Sequence, residues 1–440
     1  MTNTAIEVLE FVKENDVKFI RLGFCDLFGI HKNIAIMPDE LPSAFENGIS
    51  FDASAINGFN NITKSDLLLF PDPATLTILP WRPGPGRVVR FYCDIKNPDN
   101  SDFEHDSRYI LKRMIKRFED IGYVCKIGAE CEFYLFETDE KGEPTLNTLD
   151  YGGYFDISPL DKGEDIRREI CLHLEEMGLK PETSHHERGP GQNEIDFKFS
   201  NALEAADNME TFKKVVKAIA ERNGLFASFM PKPLLDAPGN GLHVNLSLNQ
   251  NGRNVFNNED TGELSAASEN FIAGILSKIR EITVFLNQTV NSYERLGKFD
   301  APNYISWSPH NRSQLIRIPA AVGERVRMEL RSADPSVNPY LAFALIISAG
   351  LDGIEKKMVL PPSVNVDLFT ASLSETKNLQ KLPSSLKEAV ECAQNSDFVK
   401  TILGENLLTK FLDVKKTEIL EFEKAKNKME FYKDKYFTVL

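Results

Sequence analysis

The stretch GAECEFYLF, residues 128–136, carries two glutamates two positions apart inside an apolar, β-prone run. In a strand, side chains alternate faces, so Glu130 and Glu132 point the same way while Cys131, Phe133 and Leu135 point the other. Like charges held side by side repel. Such a strand therefore either turns a wet face to solvent or faces something positive.

Three further segments share the pattern. In NEIDFKF (193–199), Glu194 and Asp196 oppose Ile195, Phe197 and Phe199. In GLHVNLSL (241–248), His243, Asn245 and Ser247 oppose Leu242, Val244, Leu246 and Leu248. In RVRMELRS (325–332), Arg327, Glu329 and Arg331 oppose Val326, Met328 and Leu330. Half-buried strands commonly show such alternation with a solvated outer face. Solvated faces, however, favour mixtures of Thr, Lys and Ser, not carboxylates, a histidine and paired arginines. The four polar faces are therefore expected to converge on one cavity.

Glu130, Glu132, Glu194, Glu329 and the loop residue Glu187 would bring five carboxylates there, and His243 an imidazole. Oxygen donors with a single nitrogen suit Mg²⁺ or Mn²⁺ better than a structural zinc site, and five negative charges call for more than one dication. Arg312, Arg317, Arg327 and Arg331 add guanidinium groups of the kind that clamp phosphate and carboxylate. Metals with arginines point to phosphoryl transfer from a nucleotide. Neither a GxxxxGK[ST] loop nor a protein-kinase motif set is present, so another fold must hold it.

The chain has 440 residues with 42% apolar and 26% charged side chains, enough for two or three domains with a large core. A net charge of −14 argues against a nucleic-acid partner. The start, MTNTAIEVLEFVKEND, reads as an acidic amphipathic helix, not a signal peptide. The longest apolar run, LAFALIISAGL, is too short to span a bilayer, so no membrane partner is expected. Six cysteines without a CxxC pair read as reduced thiols of a cytoplasmic protein. The first ~105 residues read as a helix followed by strands. The polar stretch 96–107 marks a boundary, and residues 106–440 alternate helices with short strands before a helical C-terminal region. The tail KNKMEFYKDKYF is expected at a subunit contact.

The ordered set GAECEF, YGGYF, SHHERGPGQNEIDF, FMPKPL, GNGLHVNLSL, NSYERL, NRSQLIRIP and RMELRSADPSVNPYLA resembles glutamine synthetase of the bacterial type I form. The resemblance runs from VKFIRLGFCDLFG to LGENLLTKF. It is strongest to the shorter Gram-positive form, which also has Asn two residues after the ligand histidine. It implies an α+β protein: an N-terminal β-grasp domain (1–105) and a catalytic domain (106–440) whose antiparallel strands form a half-barrel lined by metal ligands. It also implies a homo-dodecamer of two hexameric rings, with active sites between subunits.

Residue by residue, the resemblance implies Glu132, Glu187 and Glu194 on a first Mg²⁺ or Mn²⁺, and Glu130, His243 and Glu329 on a second, with two or three ions per site. For the co-substrate ATP it implies Glu182, Phe199, Ser247, Arg317 and Arg327. For L-glutamate it implies Arg295, Arg331 and the backbone of Gly239. Arg312 would stabilise the transferring phosphoryl group, and Asp52 of an adjacent subunit, with Tyr154 and Glu187, would take ammonium. The implied reaction forms γ-glutamyl phosphate from glutamate and ATP, and ammonia then displaces phosphate to give glutamine.

Four departures from the family pattern stand out. RLGKFDAP places Asp300 where the mobile flap usually carries a glutamate proton acceptor, in a loop one residue shorter. FDASAI has Ala55 in place of a serine at the ammonium site. DAPGNG has Pro238 where an asparagine usually contacts glutamate. Asn61 replaces an arginine used in Gram-positive feedback control, and Asp367 lies near a tyrosine that some relatives modify, so adenylylation is not expected there. Two other readings follow from these changes: a γ-glutamyl ligase for another primary amine (polyamine, methylamine or ethanolamine), and a non-catalytic regulatory member. His185 reads as packing or supporting Glu187, and His31, His105, His173 and His310 as non-catalytic.

Overall fold

The structure, a computed structural model, describes residues 5–59, 65–81, 86–258 and 261–440; Asn61 lies outside them. Helix Ala5–Glu14 presents Val8 and Val12, one turn apart, to a first apolar core. That core lies against a sheet of six strands among the described residues: β1 (Val17–Cys25), β2 (His31–Ile36), β3 (Ile49–Asp52), β4 (Asp66–Pro71), β5 (Thr77–Ile78) and β6 (Arg87–Lys96). The spatial order is β2-β1-β6-β4-β3, with β5 also on β6. β1 and β6 are parallel, and the remaining pairs are antiparallel. Ile20, Leu22, Leu67, Leu69, Val89 and Phe91 are buried at alternating positions, as half-buried strands require.

The second sheet has eleven strands among the described residues. They are β7 (Val124–Thr138), β8 (Pro144–Thr148), β9 (Pro181–His186), β10 (Gln192–Phe197), β11 (Ser200–Asn201), β12 (Leu225–Ser228), β13 (Leu242–Gln250), β14 (Arg253–Asn254), β15 (Trp307–Pro309), β16 (Ile316–Ile318) and β17 (Met328–Leu330). The main path runs β15-β16-β17-β13-β7-β10-β9. It is antiparallel except at β15–β16, and β7 is its long central strand. This is the β-grasp plus curled half-barrel arrangement expected from the sequence.

Apolar helices back the sheet. Ser107–Asp120 and Ala202–Arg222 pack on β7, and Ala266–Leu286 crosses Pro339–Glu355. The crossing depends on glycine: a Cβ on Gly353 would lie 2.0 Å from the Asn270 carbonyl oxygen, and one on Gly274 2.2 Å from that of Ala349. Among the described residues, no helix is long and apolar enough to cross a membrane. The C-terminal tail packs into its own chain through its aromatic residues: Phe437 meets Phe136 and Phe226, and the Tyr436 hydroxyl donates to Glu418 at 2.5 Å.

The two sheets are tied through Arg108. Its guanidinium donates to Asp72 (2.8 Å) and Asp94 (2.6 Å) from the first sheet's side, and to both Asp207 oxygens (3.0 and 3.1 Å) on helix Ala202–Arg222. Tyr340 donates to Asp207 at 2.7 Å. Arg108 is 3% exposed, so its removal strands a buried carboxylate. Arg108→Ala should destabilise the chain by about 3–5 kcal/mol in denaturant unfolding; a loss below about 1 kcal/mol would show the network to be surface-like.

Candidate active site

The register of the second sheet sets its polar face out in three rows across the strands. One row runs Arg317 (β16), Glu329 (β17), Asn245 (β13). The next runs His243 (β13), Glu130 (β7), Asp196 (β10), Thr183 (β9). The third runs Glu132 (β7), Glu194 (β10), His185 (β9). Carboxylates thus sit directly opposite carboxylates twice, Glu130 against Asp196 and Glu132 against Glu194. That arrangement destabilises a sheet unless a cation or a proton intervenes.

The two ends of this face are balanced differently. At one end Glu329 is clamped by Arg317 (2.6 Å) and by Arg331, with His243 Nδ1 at 3.6 Å. Burial alone would raise its carboxyl, but Arg331, His243 and Arg317 overcome this and hold it at about 2. Glu130 is also buried, yet hydrogen bonds from His243 (3.2 Å) and Asn245 (2.8 Å) keep it below the usual carboxylate value. At the other end, burial pushes Glu194 well up, and Asp196, Glu132 and Glu187 push it further. Glu132 is raised by burial and Glu187, and Asp196 by burial and Glu130. The arginine end is neutralised by protein; the carboxylate end is not.

Three groups offer one donor atom per residue within 4.8 Å of one another: Glu130/His243/Glu329, His185/Glu187/Glu194 and Glu130/Glu194/Asp196. They fit dications on two counts besides the opposed carboxylates. The donor sets are oxygen-rich, two with one imidazole and the third all carboxylate, as Mg²⁺ and Mn²⁺ prefer. Asp196 Oδ1 is buried without a hydrogen-bond partner. The first group is the second ion's expected set. The first ion's expected set is not reproduced as a triad: Glu132 is absent from all three groups. Its Oε2 accepts from the Gly241 amide (2.7 Å) and from Gln192 (3.1 Å). His185 stands in its place, 2.8 Å from Glu187, edge-on to Tyr154 and Phe155.

Two cavities flank these rows. One of about 640 Å³ is lined by Glu130, Glu132, Glu187, Glu194, His243, Arg295, Arg312, Arg317, Arg327, Arg331, Gly239, Tyr154 and Asp300, among others. One of about 530 Å³ is lined by Glu182, Phe199 and Ser247. They share Glu130, Thr183, Asp196 and Arg327. Glu329 lies behind the wall, 1% exposed. Arg295 is fixed by the carbonyls of Ser332 (2.9 Å) and Arg331 (3.3 Å). Gly239 is required there, since a Cβ would lie 2.5 Å from the Pro231 carbonyl oxygen and 3.0 Å from Arg295. The Pro238 carbonyl accepts from Tyr134 at 2.7 Å.

Asp300 sits at the mouth, in a loop where Gly297 and Phe299 have positive φ, and pairs with Arg188 at 3.1 Å. Asp52 lines neither cavity. It ends β3 as an exposed cap, accepting from the Ser54 amide (2.9 Å) and hydroxyl (2.6 Å). Sequence reasoning placed Asp196 on the converging polar face but left it out of the ligand set, and it missed Gln192 and Arg188. Asp196 carried a signal, its place two residues after Glu194 on the same face; the other two carried none.

Comparison with known proteins agrees with this geometry. The family model for the glutamine synthetase catalytic domain matches residues 104–434, and that for the glutamine synthetase β-grasp domain matches 16–98. Glutamine synthetase of Methanosarcina mazei is 49% identical over 96% of this chain and 95% of its own length. That of Clostridium saccharobutylicum is 47% identical over 94% and 95%. The solved GmaS/ADP complex superposes with a TM-score of 0.88 at 30% identity, covering 98% of both chains. With its fold, its carboxylate rows and both halves matched, the chain belongs to the glutamine synthetase family of ligases.

Proposed function

We propose that this γ-glutamyl ligase is a glutamate–ammonia ligase of the bacterial type I form, using ATP and two or three Mg²⁺ or Mn²⁺ ions per site. The observation carrying the reading is the pair of cavities that meet at Glu130, Thr183, Asp196 and Arg327. A nucleotide in the smaller cavity, against Glu182, Phe199 and Ser247, directs its phosphates over these residues toward glutamate in the larger one. Arg295 and Arg331 take the α-carboxylate, with Gly239 alongside. Glu130, His243 and Glu329, and Glu132, Glu187 and Glu194, would hold the dications, which would supply charge to polarise the phosphoryl oxygens and to offset the carboxylate rows. His185 and Asp196 are added to that donor set.

In the first step the glutamate γ-carboxylate attacks the γ-phosphate, and γ-glutamyl phosphate forms as ADP leaves. Arg312, Arg317 and Arg327 supply donors where negative charge builds on the transferring group. In the second step, ammonia attacks the activated carbonyl and phosphate leaves. Tyr154 and Glu187 border the acceptor's place, Asp52 arrives from a neighbouring subunit of a dodecamer, and Asp300 accepts a proton. Asp52 is exposed and lines neither cavity, which suits the proposed completion of the site by a ring of subunits. The six free cysteines suit a reducing cytoplasm.

Ammonia is favoured by the retained Asp52 and Tyr154 and by relatives at 44–49% identity named glutamine synthetase. A second reading, a small primary amine, is favoured by Ala55 and by the Arg188–Asp300 pair, which change the acceptor's surroundings. Phosphate release with ATP, glutamate and a panel of ammonium, methylamine, ethanolamine and polyamines separates them. Ammonium should give the highest kcat/KM; a primary amine that exceeds it establishes the second reading.

Asp300→Asn should lower kcat by about 10²–10⁴-fold while the KM values for ATP and glutamate hold, the size expected for a lost proton acceptor. An unchanged kcat removes Asp300 from the chemistry.

Metal binding should depend on pH in a definite direction. Glu132, Glu194 and Asp196 have folded-state values above their ordinary ones, so the folded metal-free chain holds more protons than the unfolded chain. Its stability therefore falls as pH rises through those values. Metal displaces these protons and binds tighter at high pH. The Tm gain from saturating Mn²⁺ should be larger at neutral pH than near pH 5, just above the ordinary carboxylate range; an equal or reversed gain contradicts the assignment.

A further inference from the structure

We propose that Cys25, His31 and Glu210 form a second kind of metal site, for a zinc-class cation, at the junction of the two sheets. Cys25 ends β1 and His31 begins β2, directly opposite it in the antiparallel register. The turn between them is closed by the Asp26 amide on the Ile30 carbonyl at 3.0 Å. Glu210 reaches the pair from helix Ala202–Arg222 of the catalytic half. Donor atoms of the three residues lie within 4.8 Å of one another. Tetrahedral zinc with bonds of about 2.0–2.3 Å needs donors roughly 3.3–3.8 Å apart, so side-chain adjustments of about 1 Å close the site.

The second observation is the state of the polar atoms. Side-chain exposure is 7% for His31 and 2% for Glu210, and Cys25 is 6% exposed. His31 Nδ1 and Glu210 Oε1 are buried without hydrogen-bond partners, with Nδ1 3.9 Å from Glu210 Oε2. A thiol-to-carboxylate hydrogen bond would occupy Cys25 and one Glu210 oxygen, but it leaves those two atoms unmatched. Buried polar atoms without partners are rare in proteins, and an unseen ion is one explanation for them.

The chemistry selects the ion. A thiolate, an imidazole and a carboxylate are the donors of zinc, unlike the sulfur-free groups of the active site. Burial, Lys214 and Arg90 keep His31 in its neutral, ligating form, whereas burial, Glu210 and Asp26 hold the Cys25 thiol protonated in the metal-free chain and burial raises Glu210, with Lys213 opposing both. Binding releases the thiol proton to solvent. A small cavity of about 60 Å³ beside His31, lined also by Thr211 and Arg90, leaves room for a water as fourth ligand. The other buried group away from the catalytic rows, Asp150/Asp161/His186, is satisfied internally through Arg167, backbone amides and the Asp150–His186 contact.

The test uses the full-length protein titrated with Co²⁺ as a zinc probe. The wild type should develop a thiolate-to-cobalt charge-transfer band in the near ultraviolet, which the sulfur-free active-site groups cannot give. Cys25→Ser should abolish it, and should retain one zinc fewer per chain by elemental analysis after dialysis. Glu210→Gln, which keeps the thiol, should weaken zinc binding by more than about tenfold. Absence of the band in the wild type, or equal zinc content in wild type and Cys25→Ser, overturns the proposal. Should Cys25→Ser fail to fold, the wild-type band and Glu210→Gln decide it.

Discussion

Carboxylates facing carboxylates across neighbouring strands set the terms for the rest of this molecule. Glu130 opposes Asp196 and Glu132 opposes Glu194 in register, and two such charges about 4 Å apart repel by roughly 4 kcal/mol at an effective dielectric near 20. Hydrophobic burial on the reverse of the same strands offsets that cost. Cys131, Phe133, Leu135 and Ile195 are fully buried beneath the charged row, and each large apolar side chain removed from water contributes about 1.5–3 kcal/mol. The alternation that first draws attention to the strand is thus also what allows it to exist. A one-residue slip would bury the charges and expose the core, so the register is fixed by both faces at once.

The face is divided, and the division matches the two things a phosphoryl-transfer site must do. Glu329 has its charge cancelled by Arg317 and Arg331, so those arginines are already oriented before any substrate arrives. Among the described residues, Glu132, Glu194 and Asp196 have no arginine or lysine within ion-pair distance. Their negative potential is stored for cations. The strain of the metal-free site is therefore the counterpart of its affinity: removing the carboxylates would relax the sheet and abolish the reason for an ion to bind.

Alternation made the strands and their loaded faces legible in the sequence, because the two-residue period is local. Which residues meet across the sheet was not legible, because register depends on pairings between positions far apart. Glu130 finds His243 across 113 positions. Hence the Glu130/His243/Glu329 group, expected through family resemblance, appears intact, whereas Glu132 turns to Gly241 and Gln192 and His185 joins Glu187 instead. The Cys25–His31 pairing escaped notice for a related reason. Six positions separate the residues, but only a strand–turn–strand reading makes them neighbours, and Glu210 lies on a helix whose periodicity says nothing of its partner.

The flap shows how a shortened side chain can keep a place at the site. Aspartate reaches roughly one methylene less than the glutamate usual in the family. Here its carboxylate is met from across the mouth by Arg188, the residue following Glu187. Both partners are about half exposed, 58% for Arg188 and 45% for Asp300, and ion pairs of that kind contribute only about 0–1 kcal/mol. A contact so weak orients the loop without locking it, which suits the mobile flap proposed for this segment. Arg188 also lies over the Tyr154 ring, 5.9 Å from its centroid. The guanidinium thus links the Asp300 carboxylate to the Tyr154 ring, and under the proposed acceptor site a change in acceptor size beside that ring would be felt at Asp300 through that one side chain.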